Sequence, residues 1–247
     1  MTGHSTPQTR RSPNILRHAA VLVAVFGCLL AWAWWTSQDA TGSSGQQVRG
    51  PANITVIGDS ITALYDNEPG GERQGWWSMV GYEYDSYVRT FAQSGSGYLR
   101  PGLACTGTRF NQRLHALSTH HADMVIVEGG RNDWAQCVDG RFVRAPDDTI
   151  RQAVFNYLSD VNRLVSPSTR VLVLGPPWGP LNIDEQERVS SIIRAAALHY
   201  DMQFVPMDGV LNATRVVDGV HPNRAGSQAI ADQVIQAINQ AAPISDS

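Results

Sequence analysis

From residue 53 onward, short and largely apolar runs alternate with longer stretches whose apolar residues recur at helical spacing. The runs 53–57, 87–93, 124–128, 170–174 and 203–206 read as strands, and 124–128 is strongly β-branched. A strand that is apolar throughout must be covered on both faces, which is the condition of a parallel sheet. Residues 75–84 read as a helix. Ile150, Val154, Tyr157, Leu158, Val161 and Leu164 share one helix face, with Asp147 and Asp148 as start signals and Pro167 as a stop. Val189, Ile192, Ile193 and Ala196 mark a further helix that opens on the acidic Asp184, Glu185 and Glu187. Ile230, Val234 and Ile238 mark the last, entered after Pro222. With right-handed crossovers this order predicts an α/β fold, a three-layer α/β/α sandwich on a five-stranded parallel sheet. Ligands of such sheets bind beyond the carboxyl ends of the strands.

The first part of the chain has a different character. Residues 1–18 carry Arg10, Arg11 and Arg17 and no acidic residue. Residues 19–35 are unbroken apolar sequence ending in Trp32, Trp34 and Trp35, close to the roughly 17 residues that span a bilayer. Basic residues before the run place residues 1–18 in the cytoplasm, and the tryptophans suit the far interface. The segment is expected to be a transmembrane signal anchor, single-pass, with the rest of the chain outside the cytoplasm. Cleavage after Ala31-x-Ala33 would instead release a secreted protein, but it would leave Trp34-Trp35 at the new terminus. Residues 36–51, rich in Ser, Gly and Gln, read as a flexible linker, and 52–247 as one domain.

The net charge of −3 and the scattered arginines leave no basic stripe, so no nucleic-acid partner is expected. Of the cysteines, Cys28 lies in the apolar run. Cys105 and Cys137 lie in loops of the outer domain and are expected to form a disulfide, as an oxidising compartment allows. No histidine has the spacing to complete a two-cysteine metal site, and His120 and His121 are adjacent and point apart. Neither a metal nor an organic cofactor is expected.

Residues able to do chemistry fall at the strand ends. Ser60, in Gly58-Asp59-Ser60, directly follows the first strand. A serine hydroxyl is a weak nucleophile until a base takes its proton, and alone this turn reads equally as a helix cap. His221 is the natural base, because Asp218 stands three residues before it and Pro222 fixes the chain after it. A short turn there lets the carboxylate reach the imidazole. His115, His120, His121 and His199 have no such acid beside them. Asn132, in Gly130-Arg131-Asn132-Asp133, follows the third strand and can donate its amide to an anionic oxygen, or sit as an ordinary turn residue. Gly95 follows the second strand, where a substrate can approach a bare backbone N–H. A nucleophile elbow Gly-x-Ser-x-Gly occurs nowhere. A phosphate-binding Gly-x-Gly-x-x-Gly starting at Gly95 fails at Arg100.

Together these blocks, Gly58-Asp59-Ser60, Gly95, Gly130-x-Asn132-Asp133 and Asp218-x-x-His221, resemble the SGNH hydrolases, also called GDSL esterases and lipases. Gly97-Tyr98 and residues 129–133 look closest to actinobacterial members. Leu64 and Gln93 depart from the family pattern, where Gly and Asn are frequent. The resemblance implies the flavodoxin-like SGNH fold and a serine esterase. Ser60, His221 and Asp218 would be catalytic, with an oxyanion hole from Ser60, Gly95 and Asn132. The expected partner is an ester of a carbohydrate, lipid or cell-envelope component, with short acyl groups favoured. Acyl transfer by the same residues, or a non-catalytic binding module, are the alternatives. Tyr98 and Trp134 follow the oxyanion segments and are the expected pocket aromatics, ahead of Trp76, Trp77 and Trp178.

Overall fold

The computed structural model describes residues 50–63, 71–118, 121–181 and 183–240, all within the compact unit Val48–Ser247. The expected anchor at 19–35, the segment 1–18 and nearly all of the 36–51 linker lie outside the described residues, as does Leu64. Among the described residues no helix is long and apolar enough to cross a membrane.

Five parallel strands form the central sheet: β1 (Asn53–Gly58), β2 (Tyr87–Ala92), β3 (Met124–Val127), β6 (Arg170–Leu174) and β7 (Gln203–Val205), in the order β2-β1-β3-β6-β7. In register, Ile54 of β1 sits beside Val88 of β2 on one side and Met124 of β3 on the other. The remaining two strands, β4 (Ala135–Val138) and β5 (Arg141–Arg144), form a separate antiparallel hairpin.

Alternation along each strand divides the core into two halves. Met124, Ile126, Leu172 and Leu174 face helices α2 (Trp76–Tyr84) and α6 (Arg224–Gln240), packing on Trp76, Val80, Ile230 and Val234. Val125, Val127 and Val173 face α4 (Asp147–Leu164) and α5 (Ile183–His199), packing on Val154, Leu158, Ile193 and Ala196. Two single-turn helices complete the set, α1 (Ser60–Ala63) and α3 (His115–Ser118).

The expected strands and helices are present with ends shifted by a residue or so. β7 stops at Val205 because Pro206 has no N–H for the ladder. The β4–β5 hairpin was not expected from the pattern. Its turn is Asp139-Gly140, with φ of 49° and 74°, the backbone that a two-residue hairpin turn requires. The Cys105–Cys137 disulfide joins β4 to the loop after β2, with Cα atoms 5.7 Å apart.

Candidate active site

β1 ends at Gly58, and the chain turns at once into α1, which leaves Ser60 beyond the carboxyl edge of the sheet. The turn is fixed from beneath. The Asp59 carboxylate accepts the Ile61 N–H at 2.9 Å. Glu128, the first residue after β3, accepts from the Thr62 hydroxyl at 2.8 Å and from the Asp59 N–H at 3.3 Å. Trp76 and Trp77 close over the turn, their indole N–H groups donating to the Thr62 hydroxyl and carbonyl, each at 3.2 Å.

His221 arrives from the far end of the chain. The loop before α6 is pinned by an antiparallel bridge between Val216 and Pro222 and by the Val217 N–H donating to the His221 carbonyl at 2.9 Å. Gly219 turns it with φ of 81°. Inside this loop Asp218 accepts the backbone N–H groups of Val220 (3.0 Å) and His221 (2.8 Å), and its second oxygen lies 2.7 Å from His221 Nδ1. Nε2 of the same ring lies 2.9 Å from Ser60 Oγ. Partial burial opposes ionisation of Asp218, but the His221 N–H, the imidazole and the Val220 N–H outweigh it and hold the carboxyl at about 2. An ionised carboxylate can only accept, so the ring proton sits on Nδ1 and Nε2 is left to accept from the serine hydroxyl.

The third edge of the site follows β2 and β3. Gly129 and Gly130 have φ of 150° and 112°, and this sharp exit sets the short 3-10 turn Arg131–Trp134 against the serine. Asn132 Nδ2 donates to the Ser96 carbonyl at 2.9 Å and to the Asp59 carboxylate at 3.2 Å. Gly95 has φ of 74°, and a Cβ there would press on Leu103, so the loop needs glycine. Ser60, Gly95, Asn132, His221, Trp134 and Trp178 all line one cleft of about 450 Å³.

Several residues of this architecture have no structural role assigned from the sequence. Arg113 donates to the carbonyls of Gly58 (3.1 Å) and Phe91 (3.2 Å) and to the Ser96 hydroxyl (2.8 Å), tying the ends of β1 and β2 to the Gly95 loop. Asp133 accepts three successive backbone N–H groups, from Tyr98, Leu99 and Arg100, at 2.9 to 3.0 Å. Gln93 accepts from Thr108 and donates to Pro101, knitting the same loop.

Asp133 also explains one correction. Tyr98, expected in the pocket, is buried in the core, with its ring 4.9 Å from Phe110 and 5.4 Å from Tyr157. The N–H groups that follow Gly97 are drawn onto Asp133, and the Tyr98 side chain is carried inward with them. Trp178, ranked lower from sequence, takes a place in the cleft wall beside Trp134. Among the described residues, no three His, Cys, Asp or Glu side chains converge as metal ligands.

A three-layer parallel sandwich with a serine, a histidine and an aspartate in hydrogen-bonded series at its carboxyl edge is the arrangement of a serine hydrolase, and its known relatives make it a carboxylic ester hydrolase of the SGNH type. A profile of the GDSL-like lipase/acylhydrolase family matches residues 56–229, and the chain belongs to that family. It is 30% identical over 204 residues to a GDSL lipase of Mycobacterium tuberculosis, across 75% of this chain and 81% of the relative. Similar solved structures include a carbohydrate acetylesterase of Sinorhizobium meliloti, with a TM-score of 0.61 at 17% identity over 76% of this chain and 98% of that one. A family two carbohydrate esterase of Clostridium thermocellum, in complex with cellohexaose, superposes with a TM-score of 0.58 at 19% identity, over 76% of this chain and 63% of that one.

Proposed function

We propose that the protein hydrolyses short-acyl carboxylic esters of a carbohydrate or cell-envelope component through an acyl-enzyme on Ser60. The carrying observation is the continuous series from Asp218 through His221 to Ser60, with spacings of 2.7 and 2.9 Å. Ser60 Oγ attacks the ester carbonyl as its proton passes to His221 Nε2, and the Asp218 carboxylate stabilises the imidazolium that forms. The carbonyl oxygen becomes an oxyanion held by the backbone N–H groups of Ser60 and Gly95 and by the Asn132 amide. For Asn132 to contribute, its longer bond to Asp59 has to give way, while the bond to Ser96 keeps the amide in place. His221 returns the proton to the leaving alkoxide. It then draws a proton from water, which attacks the acyl carbonyl, and passes that proton to the departing Ser60 Oγ, restoring the free hydroxyl and the neutral imidazole.

Two considerations favour small acyl groups on a sugar. The cleft is compact, at about 450 Å³. Structural neighbours named as carbohydrate esterases share the fold. We also place the enzyme outside the cytoplasm, tethered by residues 19–35. The arginines before that apolar run support this. So does the Cys105–Cys137 disulfide, since such bonds persist in oxidising compartments.

A panel of acetyl, butyryl and octanoyl esters, including acetylated sugars, tests the activity. The acetyl esters should turn over fastest, and Ser60→Ala should abolish turnover and labelling by a fluorophosphonate probe. Labelling that survives in Ser60→Ala would move the nucleophile elsewhere.

A further inference from the structure

Arg131 stands immediately before Asn132 and lines the same cleft as Ser60. It is only 9% exposed, yet its Nη1 is buried without a hydrogen-bond partner, and none of the salt bridges among the described residues includes it. Its guanidinium stacks 4.8 Å from the centroid of Trp178, another wall of that cleft.

The carboxylates whose charge reaches it are Asp59 and Asp218, and both are engaged elsewhere. Asp59 serves Ile61 and Asn132, and Asp218 serves Val220 and His221. Arg100 is also buried, with an unpartnered Nε and its guanidinium 3.6 Å from the centroid of Phe142, but it does not line this cleft. Arg113 spends both of its Nη groups on Gly58, Phe91 and Ser96 and leaves only Nε without a partner. The half-buried Arg188 pairs with Asp147 and Glu185.

A guanidinium cannot shed its charge at neutral pH, and burying its Nη1 without an acceptor is unfavourable. The stack on Trp178 offsets part of that and fixes the plane of the fork. The remaining wall is neutral, with Leu103, Trp134, Leu181 and Val220 among its residues. An oriented guanidinium in the same cleft as the serine, with the nearby carboxylates engaged by other donors, has the form of an anion receptor that its ligand completes.

We propose that Arg131 determines specificity by binding a carboxylate on the substrate, so that the enzyme selects esters bearing a negative charge near the scissile bond. A carboxylate matches the planar fork through two parallel N–H···O bonds. It can belong to the acyl group, as in a dicarboxylic half-ester, or to the alcohol, as in an esterified acidic sugar. The proposal rests on Ser60 being the nucleophile of this cleft.

Two matched pairs of esters separate the sources. On the acyl side, 4-nitrophenyl hemisuccinate is compared with 4-nitrophenyl butyrate. On the alcohol side, 4-acetoxybenzoate is compared with its methyl ester. The full-length protein should favour the charged member of one pair by about 10- to 100-fold in kcat/KM, the range of a charge-assisted hydrogen bond. Arg131→Gln should collapse that ratio toward one, and Arg131→Lys should leave it intermediate. A purely architectural role would lower both members of a pair together and leave the ratio intact. That result, or a ratio near one in the unaltered protein for both pairs, overturns the proposal.

Should Arg131→Gln fail to fold, the Arg131→Lys ratio and competitive inhibition of the unaltered protein by succinate against succinamide decide the matter. Equal inhibition by the two would count against a carboxylate site. If no ester is turned over at all, the hydrolase reading fails by itself. Calorimetric binding of succinate to the unaltered protein and to Arg131→Gln then judges the anion site separately.

Discussion

Asn132 enters the resting site with both amide protons occupied, one on the Ser96 carbonyl and one on the Asp59 carboxylate. The Ser96 bond orients the side chain before substrate arrives, and the longer bond to Asp59 is the one to be exchanged for the oxyanion. Removing such a donor typically costs about 2.7–4 kcal/mol of transition-state stabilisation. Asn132→Ala is therefore expected to lower kcat by about two to three orders of magnitude, with a modest fall in melting temperature from the two lost hydrogen bonds; steady-state kinetics beside a thermal melt checks both. A near-normal kcat would remove Asn132 from the mechanism. Ser60, Asp218, His221 and Asn132 were legible in the sequence because each couples a reactive group to a place at a strand end or in the loop before the last helix. Arg113, Glu128 and Arg131 were not, because their roles depend on which chain segments surround them after folding. Tyr98 was misread for the same reason. Adjacency to Gly97 suggested the pocket, but the pull of Asp133 on the backbone decides where the ring goes.

At the level of elements, the loop after β2 carries Gly95 and Leu103 into the cleft, and one covalent bond ties it to the β4–β5 hairpin. The bridged cysteines are 32 residues apart. Closing a loop of that length removes about 3–4 kcal/mol of chain entropy from the unfolded state in the usual treatment. Replacing both cysteines by serine should lower the melting temperature by on the order of 10 °C in calorimetry. KM should also rise, since the loop loses its tether. An unchanged KM would mean that the Asp133 and Arg113 hydrogen bonds suffice to hold Gly95. The parallel strands were readable because continuous apolar runs have few other uses. The hairpin escaped notice because its second strand, Arg141–Arg144, is exposed throughout and offers no apolar pattern. Only Asp139-Gly140 announced it.

Across the whole molecule, the floor of the site concentrates acids out of water. Burial pushes Asp59 up to about 7 and Asp133 up to about 6, and burial together with Asp59 pushes Glu128 well above the ordinary carboxylate range. In the unfolded chain these groups release their protons near pH 4. Between about pH 4 and 7 the folded state thus holds more protons than the unfolded one, and stability falls as pH rises through that window. Asp218 acts in the opposite sense. Held at about 2, it adds stability above its ordinary value of 3.8 that is lost as pH falls toward 2. Melting temperatures should accordingly peak on the acidic side of neutrality, higher near pH 5 than near pH 8, and Glu128→Gln should flatten the decline. A melting temperature that climbs steadily from pH 5 to 8 would show these carboxyls to be ionised throughout.

Asp218 and His221 share one loop, three residues apart, whereas Ser60 lies 161 residues away in sequence. Acid and base thus travel together, and the contact between Nε2 and Oγ is the one that joins the two distant parts of the chain. Detaching the C-terminal helix from the sheet would unplug the whole relay in a single motion. Heat inactivation should then resemble a switch thrown once, with each molecule either fully competent or silent.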